Sequence, residues 1–83
     1  MERIFSTQKA INKNDIKRVW LTDDAIWIET FDGKQGCEKY ADYKSLRAAS
    51  EQERHSYTMS YFGLHWPMLD EDLSYEGFFA KDN

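Results

Sequence analysis

From residue 16 onward, apolar and polar residues alternate with a period of two. The runs IKRVWLT and AIWIETF are separated by Asp23-Asp24, and AIWIETF and KQGCEKY by Asp32-Gly33. Alternation of this kind, bounded by turn formers, predicts antiparallel strands. An Asp-Gly pair between apolar runs favours a two-residue type I′ loop, because that turn needs positive φ at both central positions. The register that follows sets Phe31 opposite Lys34, Ile28 opposite Cys37, Trp27 opposite Glu38 and Ile26 opposite Lys39. Ile26, Ile28 and Cys37 then share one face, and Trp27, Phe31 and Glu38 share the other. Val19 and Leu21 alternate with Trp20 in the same way, so the sheet carries tryptophans on the face turned away from the core.

After Tyr40 the period changes. DYKSLRAAS reads as a short helix with Leu46, Ala49 and Tyr43 inward, and Ser50 followed by Glu53 is a capping-box start for a second helical turn through about Tyr57. TMSYFGLHW, residues 58–66, reads as one more extended segment, stopped by Pro67. LDEDL reads as a turn or short helical stretch, and Ser74 is placed to cap a final short helix reaching Phe78 and Phe79. These elements predict a small α+β fold: an antiparallel β-meander of about three to four strands with two or three short helices. Residues 1–15, polar apart from Ile4, Phe5 and Ile11, are an N-terminal arm or lead-in, and residues 16–83 form a single domain.

The second sheet face changes what is expected of the molecule. With 83 residues the chain has room for one modest core, and 16% of it is aromatic, so a few large rings supply much of the burial. A contiguous exposed patch of Trp20, Trp27 and Phe31 is unusual on a soluble monomer. It is expected to be covered by the arm, by the C-terminal segment or by another copy of the protein. These three residues are therefore the candidate interface, since aromatic residues are enriched there and carry disproportionate energy.

Charge narrows the partners. The net charge of −4 argues against binding to nucleic-acid backbones or an anionic membrane. Residues 1–20 carry five basic and two acidic groups, a balance of +3, while residues 66–83 carry one basic and five acidic groups, a balance of −4. Oppositely charged ends attract within or between subunits. One cysteine excludes an internal disulfide and a cysteine-based zinc cluster, and fits a reducing cytoplasm. No apolar run approaches the length of a membrane span, and the first residues have no apolar signal region.

The densest chemistry lies in GLHWPMLDEDLSYEGFF, residues 63–79. His65, Asp70, Glu71 and Asp72 are suitable ligand types, but the spacing lacks a calcium-loop ladder, and adjacent acids tend to point apart. The acids are read instead as charges at a helix start, where the helix N-terminus favours anions. His65 beside a carboxylate could act in acid–base chemistry, yet a histidine between Leu64 and Trp66 is more simply a half-buried side chain bonded to a neighbour. Cys37, beside Ile28 in the predicted register, would be a poor nucleophile. Four scattered glycines make no phosphate loop. Gly36, expected opposite Glu29, marks a bulge or close backbone approach. No catalytic, cofactor or metal residues are assigned and no small-molecule substrate is identified; a metal-assisted or acid–base hydrolase around His65 and Asp70 is the alternative from another class.

The same run, preceded by Phe31-Asp32-Gly33 and ADYKSLRAAS, resembles the bacterial family called domain of unknown function 2442 over roughly residues 16–80. The family's closing motif is matched by Gly63, His65, Trp66, Pro67, Leu69, Asp70, Glu71, Asp72, Leu73 and Ser74, with Leu64 in place of the usual isoleucine. The resemblance implies a small α+β domain without an assigned activity. Some members carry a helix-turn-helix segment after the domain, for which a chain ending at Asn83 has no room. The association of such proteins with another small family in toxin–antitoxin-type pairs implies an acidic antitoxin-like partner as a further alternative. The expectation overall is a non-enzymatic interaction module, able to form a homodimer.

Overall fold

A computed structural model describes residues 10–80. Two three-stranded antiparallel sheets follow one another along the chain. The first is formed by β1 (Ile16–Leu21), β2 (Ala25–Thr30) and β3 (Gln35–Lys39), in that order. A 3-10 turn at Tyr40–Asp42 leads into α1 (Lys44–Ala48) and α2 (Glu51–Arg54). The second sheet is formed by β4 (Thr58–Met59), β5 (Gly63–Trp66) and β6 (Glu71–Ser74), and α3 (Gly77–Ala80) closes the described chain. The α+β class holds, and its first sheet is the expected meander.

The β1–β2 loop is a two-residue turn at Asp23 and Asp24, with Thr22 N–H donating to Ala25 O at 2.8 Å. The β2–β3 loop is one residue longer than the Asp-Gly signal implied. Thr30 N–H donates to Lys34 O at 2.9 Å and Gly33 N–H to Thr30 O at 3.0 Å, so Phe31, Asp32 and Gly33 together make the loop. Gly33 alone in it has positive φ, +93°. This is the pattern of a type I turn followed by a left-handed glycine, the common three-residue hairpin. Hydrogen bonds from the Thr30 hydroxyl to Asp32 and from Lys34 N–H to the Thr30 hydroxyl hold it.

That single extra residue moves every β2–β3 pair by one and turns β3 over. Trp27 faces Cys37, Ile26 faces Glu38, Ile28 faces Gly36 and Ala25 faces Lys39. The expected pairings of Ile28 with Cys37, Trp27 with Glu38 and Ile26 with Lys39 are thereby corrected. Cys37 joins Trp27 on the outer face, half-exposed, while Glu38 is turned inward and is 3% exposed. Its carboxylate lies beside Gly77, where a Cβ would stand 3.2 Å from Oε2. Gly36, opposite Ile28 and not Glu29, is a site of close approach: a Cβ there would meet Phe78 O at 2.5 Å.

One cluster draws buried side chains from both sheets and the helices: Ile26 and Ile28, Leu64, Trp66 and Leu73, with Leu46, Tyr40, Tyr75 and Phe78. Each fully buried large side chain contributes roughly 1.5–3 kcal/mol. The buried aromatic residues also satisfy their polar atoms. Trp66 Nε1 donates to Arg54 O at 2.9 Å, Tyr40 Oη to Thr22 O at 2.9 Å and Tyr75 Oη to Ser60 O at 2.7 Å. Burial pushes the Tyr40 and Tyr75 hydroxyls above their ordinary pKa. Arg54 ties the helices to this layer, lying over the Tyr40 ring at 4.1 Å and donating from Nε to Leu46 O.

Candidate functional site

The outward face of the first sheet carries the predicted tryptophans. Trp20 and Trp27 are direct cross-strand partners and stack with ring centroids 5.8 Å apart and planes 11° from parallel. Arg18, two residues before Trp20 and so on the same face, lies 4.2 Å over its ring. The same guanidinium donates from Nε to Glu29 Oε1 at 2.8 Å, and Glu29 is the register partner of Arg18. That hydrogen bond, with the nearby Lys17 and Arg18 charges, holds the Glu29 carboxyl below the ordinary value near 4.5. Aromatic stacking adds about 0.5–1.5 kcal/mol beyond area burial, and an exposed cation–π contact about 0.5–1 kcal/mol. The result is an ordered stripe of rings and charges, with both tryptophans still partly exposed.

Phe31 stands apart from this stripe. The longer loop places it at the β2–β3 tip, 69% exposed. Its N–H donates to Asp15 O at 3.1 Å, and Ile11, Asn14 and Asp15 lie around it. The described part of the arm thus runs elsewhere than across the tryptophans. Asn12 caps a 3-10 turn at Lys13–Asp15 through a reciprocal capping box with Asp15, and Lys13 N–H donates to Tyr61 O at 2.6 Å. The segment therefore links the β2–β3 loop to the β4–β5 turn. At the other end, Phe78 and Phe79 of α3 pack along β3 at Gly36 and flank Trp27 and Cys37 without stacking on Trp20. Ile4 and Phe5 of the arm lie outside the described residues.

The closing motif is a β-hairpin followed by a short helix. Residues 58–66 divide into β4 and β5, with a turn at residues 60–62, so one extended segment becomes two strands. LDEDL, expected as a turn or short helical stretch, is a turn at Leu69 and Asp70 and supplies β6 from Glu71 onward, so the expectation that its acids begin a helix is corrected. Gly63 pairs with Ser74, and a Cβ on it would stand 2.5 Å from Leu73 O, which is why the tight β5–β6 approach takes glycine. Leu64, Trp66 and Leu73 point inward, and His65 and Asp72 point outward. Pro67 and Leu69 lie in the connecting turn, where Leu69 N–H donates to Trp66 O and Asp70 adopts φ of +54°. Ser74 caps as expected, its Oγ accepting from Gly77 N–H at 3.0 Å.

The three acids diverge. Glu71 accepts a hydrogen bond from Ser45 Oγ at 2.6 Å, Asp72 pairs with His65 Nδ1 at 2.5 Å, and Asp70 sits in the turn. His65 and Asp72 are cross-strand partners with side chains 36% and 76% exposed, on an open sheet surface. Among the described residues no three of His, Cys, Asp and Glu are grouped to hold a metal ion. No helix of these residues is long and apolar enough to cross a membrane.

A second apolar surface escaped the sequence reading. Tyr61 and Phe62 at the β4–β5 turn are 52% and 54% exposed and meet edge to face at 4.7 Å. Their adjacency in SYFG hides this, because a strand would have turned them to opposite faces. Neither curated proteins nor solved structures yielded a match to this chain. A family model does match it over residues 16–83. The alternating outward aromatic face and the motif hairpin both lie inside that span, and the chain belongs to the family described as "Protein of unknown function (DUF2442)".

Proposed function

We propose that the protein is a non-enzymatic protein-interaction module that self-associates through the first sheet. The carrying observation is the Trp20–Trp27 stack on an outward face, with Arg18 over it and Glu29 beside it. Tryptophan and arginine at the centre of a patch, with a polar rim, are the composition of binding hot spots. Of the three covers expected for this face, the described part of the arm packs elsewhere and Phe78 and Phe79 reach only its Trp27 side, so the partly exposed Trp20 favours another copy. The acidic balance toward the C-terminus against the basic balance toward the N-terminus supports the same reading.

Titrating unlabelled protein into a trace of labelled protein, with fluorescence anisotropy as the readout, tests this. A saturable rise is expected, and it disappears in a Trp20→Ser/Trp27→Ser variant. A flat titration contradicts self-association. Binding only to products co-encoded with the protein would favour the antitoxin-like reading, with the same face meeting a different partner. The reducing cytoplasm remains the proposed compartment, on the strength of one thiol left partly exposed at Cys37.

A second reading has one observation in its favour, the His65–Asp72 contact, which is the arrangement of a carboxylate orienting a general base. Backbone amide shifts in a titration with zinc, manganese, magnesium and calcium decide it. Saturable shifts centred on His65 and Asp72 support acid–base or metal-assisted hydrolysis, and no local response removes that support.

A further inference from the structure

The rim of the aromatic face is β1, an outer strand of the first sheet. Which of its backbone groups face outward follows from the two hairpin loops. Thr22 N–H donates to Ala25 O, making Thr22 and Ala25 a hydrogen-bonded pair. Bonded and non-bonded pairs alternate along an antiparallel ladder, so Trp20 with Trp27 and Arg18 with Glu29 are bonded pairs as well. The opposite loop agrees, since Thr30 bonds toward Lys34 and thereby assigns Ile28 and Ile26 to β3. Val19 and Leu21, the β1 partners of Ile28 and Ile26, therefore turn their N–H and C=O groups away from β2. Among the described residues, no backbone group beyond the sheet bonds to them.

We propose that this edge is the self-association site: β1 pairs antiparallel with β1 of a second copy, about a two-fold axis at Val19. The proposal rests on the self-association reading above and specifies its geometry. Val19 N–H and C=O then bond to the partner's Val19, and Lys17 stands opposite the partner's Leu21. Arg18 stands opposite the partner's Trp20, on the outer face where both side chains already lie. The outer face becomes continuous, with the aromatic half of one copy, Trp27 and Trp20, running into the charged half of the other, Arg18 and Glu29. A patch that meets itself in this way is the requirement of an isologous two-fold interface.

Neighbouring registers lack this fit. An axis at Lys17 or Arg18 sets like charges directly opposite each other, which is destabilising. An axis at Trp20 moves Arg18 from the partner's ring to Thr22, and one at Leu21 carries Val19 onto Asp23, beyond the strand. Pairing one short strand per copy buries less than the roughly 800 Å² per partner of a standard interface. The dimer is therefore concentration-dependent.

Amide hydrogen exchange of the full chain at low and high protein concentration, with sedimentation on the same samples, tests the proposal. The Val19 and Leu21 amides are expected to gain about tenfold or more protection as concentration rises, whereas the Trp20 amide, already bonded to β2, changes little. Val19→Pro removes the outward donor while sparing the ladder to β2. It is expected to stay at the monomer mass of 9.9 kDa where the parent chain approaches twice that. Leu21→Pro repeats the test at the second outward donor, so a folding defect in one variant does not decide the matter. Equal dimer masses for parent and both folded proline variants would overturn the edge pairing and leave self-association standing. A parent chain at monomer mass throughout overturns both. Full protection at Val19 independent of concentration would mean that the edge is covered within one chain, and would also overturn the pairing.

Discussion

Gly36 has no room for a methyl group. A Cβ there would stand 2.5 Å from Phe78 O and 2.8 Å from the Phe79 ring. Gly36→Ala is therefore expected to push α3 off β3 and lower stability by about 1–3 kcal/mol, read as a shift in urea midpoint at unchanged slope. Glu29 gives a pH signature. Its folded-state pKa lies below the ordinary value because Arg18 bonds the ionised form. Its contribution is thus present above the ordinary value near 4.5 and is lost as pH falls through the lower folded value. A carboxyl-carbon titration should show Glu29 titrating lower in the parent than in Arg18→Ala. His65→Ala should cost less than about 1 kcal/mol, since the pair with Asp72 is exposed. A much larger loss in thermal unfolding would show that the pair is built into the core.

At the scale of elements, Ser50 and Trp66 mark where local signal and tertiary structure meet. The Ser50 hydroxyl accepts from Glu53 N–H while the Glu53 carboxylate accepts from Ser50 N–H. Ser50→Ala is expected to cost about 1 kcal/mol, measured by thermal unfolding. Trp66→Phe keeps a buried ring but leaves Arg54 O without its donor, an expected loss of about 1–3 kcal/mol. The capping box was legible because its chemistry is complete within four residues. The turn at Asp23-Asp24 and the cap at Ser74 were legible for the same reason. The β2–β3 register was not. Asp32-Gly33 suits either a two-residue loop or the last two residues of a three-residue one, and the choice depends on the Thr30 hydroxyl reaching Lys34 N–H. Glu38 also hid the register, since a glutamate in a strand reads as solvent-facing while here it is buried beside Gly77. Likewise EDLS reads as polar, and only its pairing with GLHW makes it a strand.

At the scale of the molecule, the sequence announced a surplus of aromatic surface and the fold assigns it. Trp66 is withdrawn into the core, while Trp20 and Trp27 form the outward stack. Phe31 is removed from that stack by the extra loop residue. The closing run, crowded with histidine and acids, becomes a hairpin that brings Leu64, Trp66 and Leu73 onto the core and sends His65 and Asp72 to its open face. That β1 and not β3 is the open edge could not be read in advance, because it depends on α3 packing along β3 at Gly36. The central claim is that the tryptophan-bearing first sheet joins two copies of this chain. Sedimentation equilibrium over a wide concentration range, paired with iodide quenching of tryptophan fluorescence, tests it most directly. The account predicts a mass rising from 9.9 kDa toward twice that value while Trp20, at the paired edge, becomes less accessible to iodide. A constant monomer mass with equally quenchable tryptophans at every concentration would contradict it.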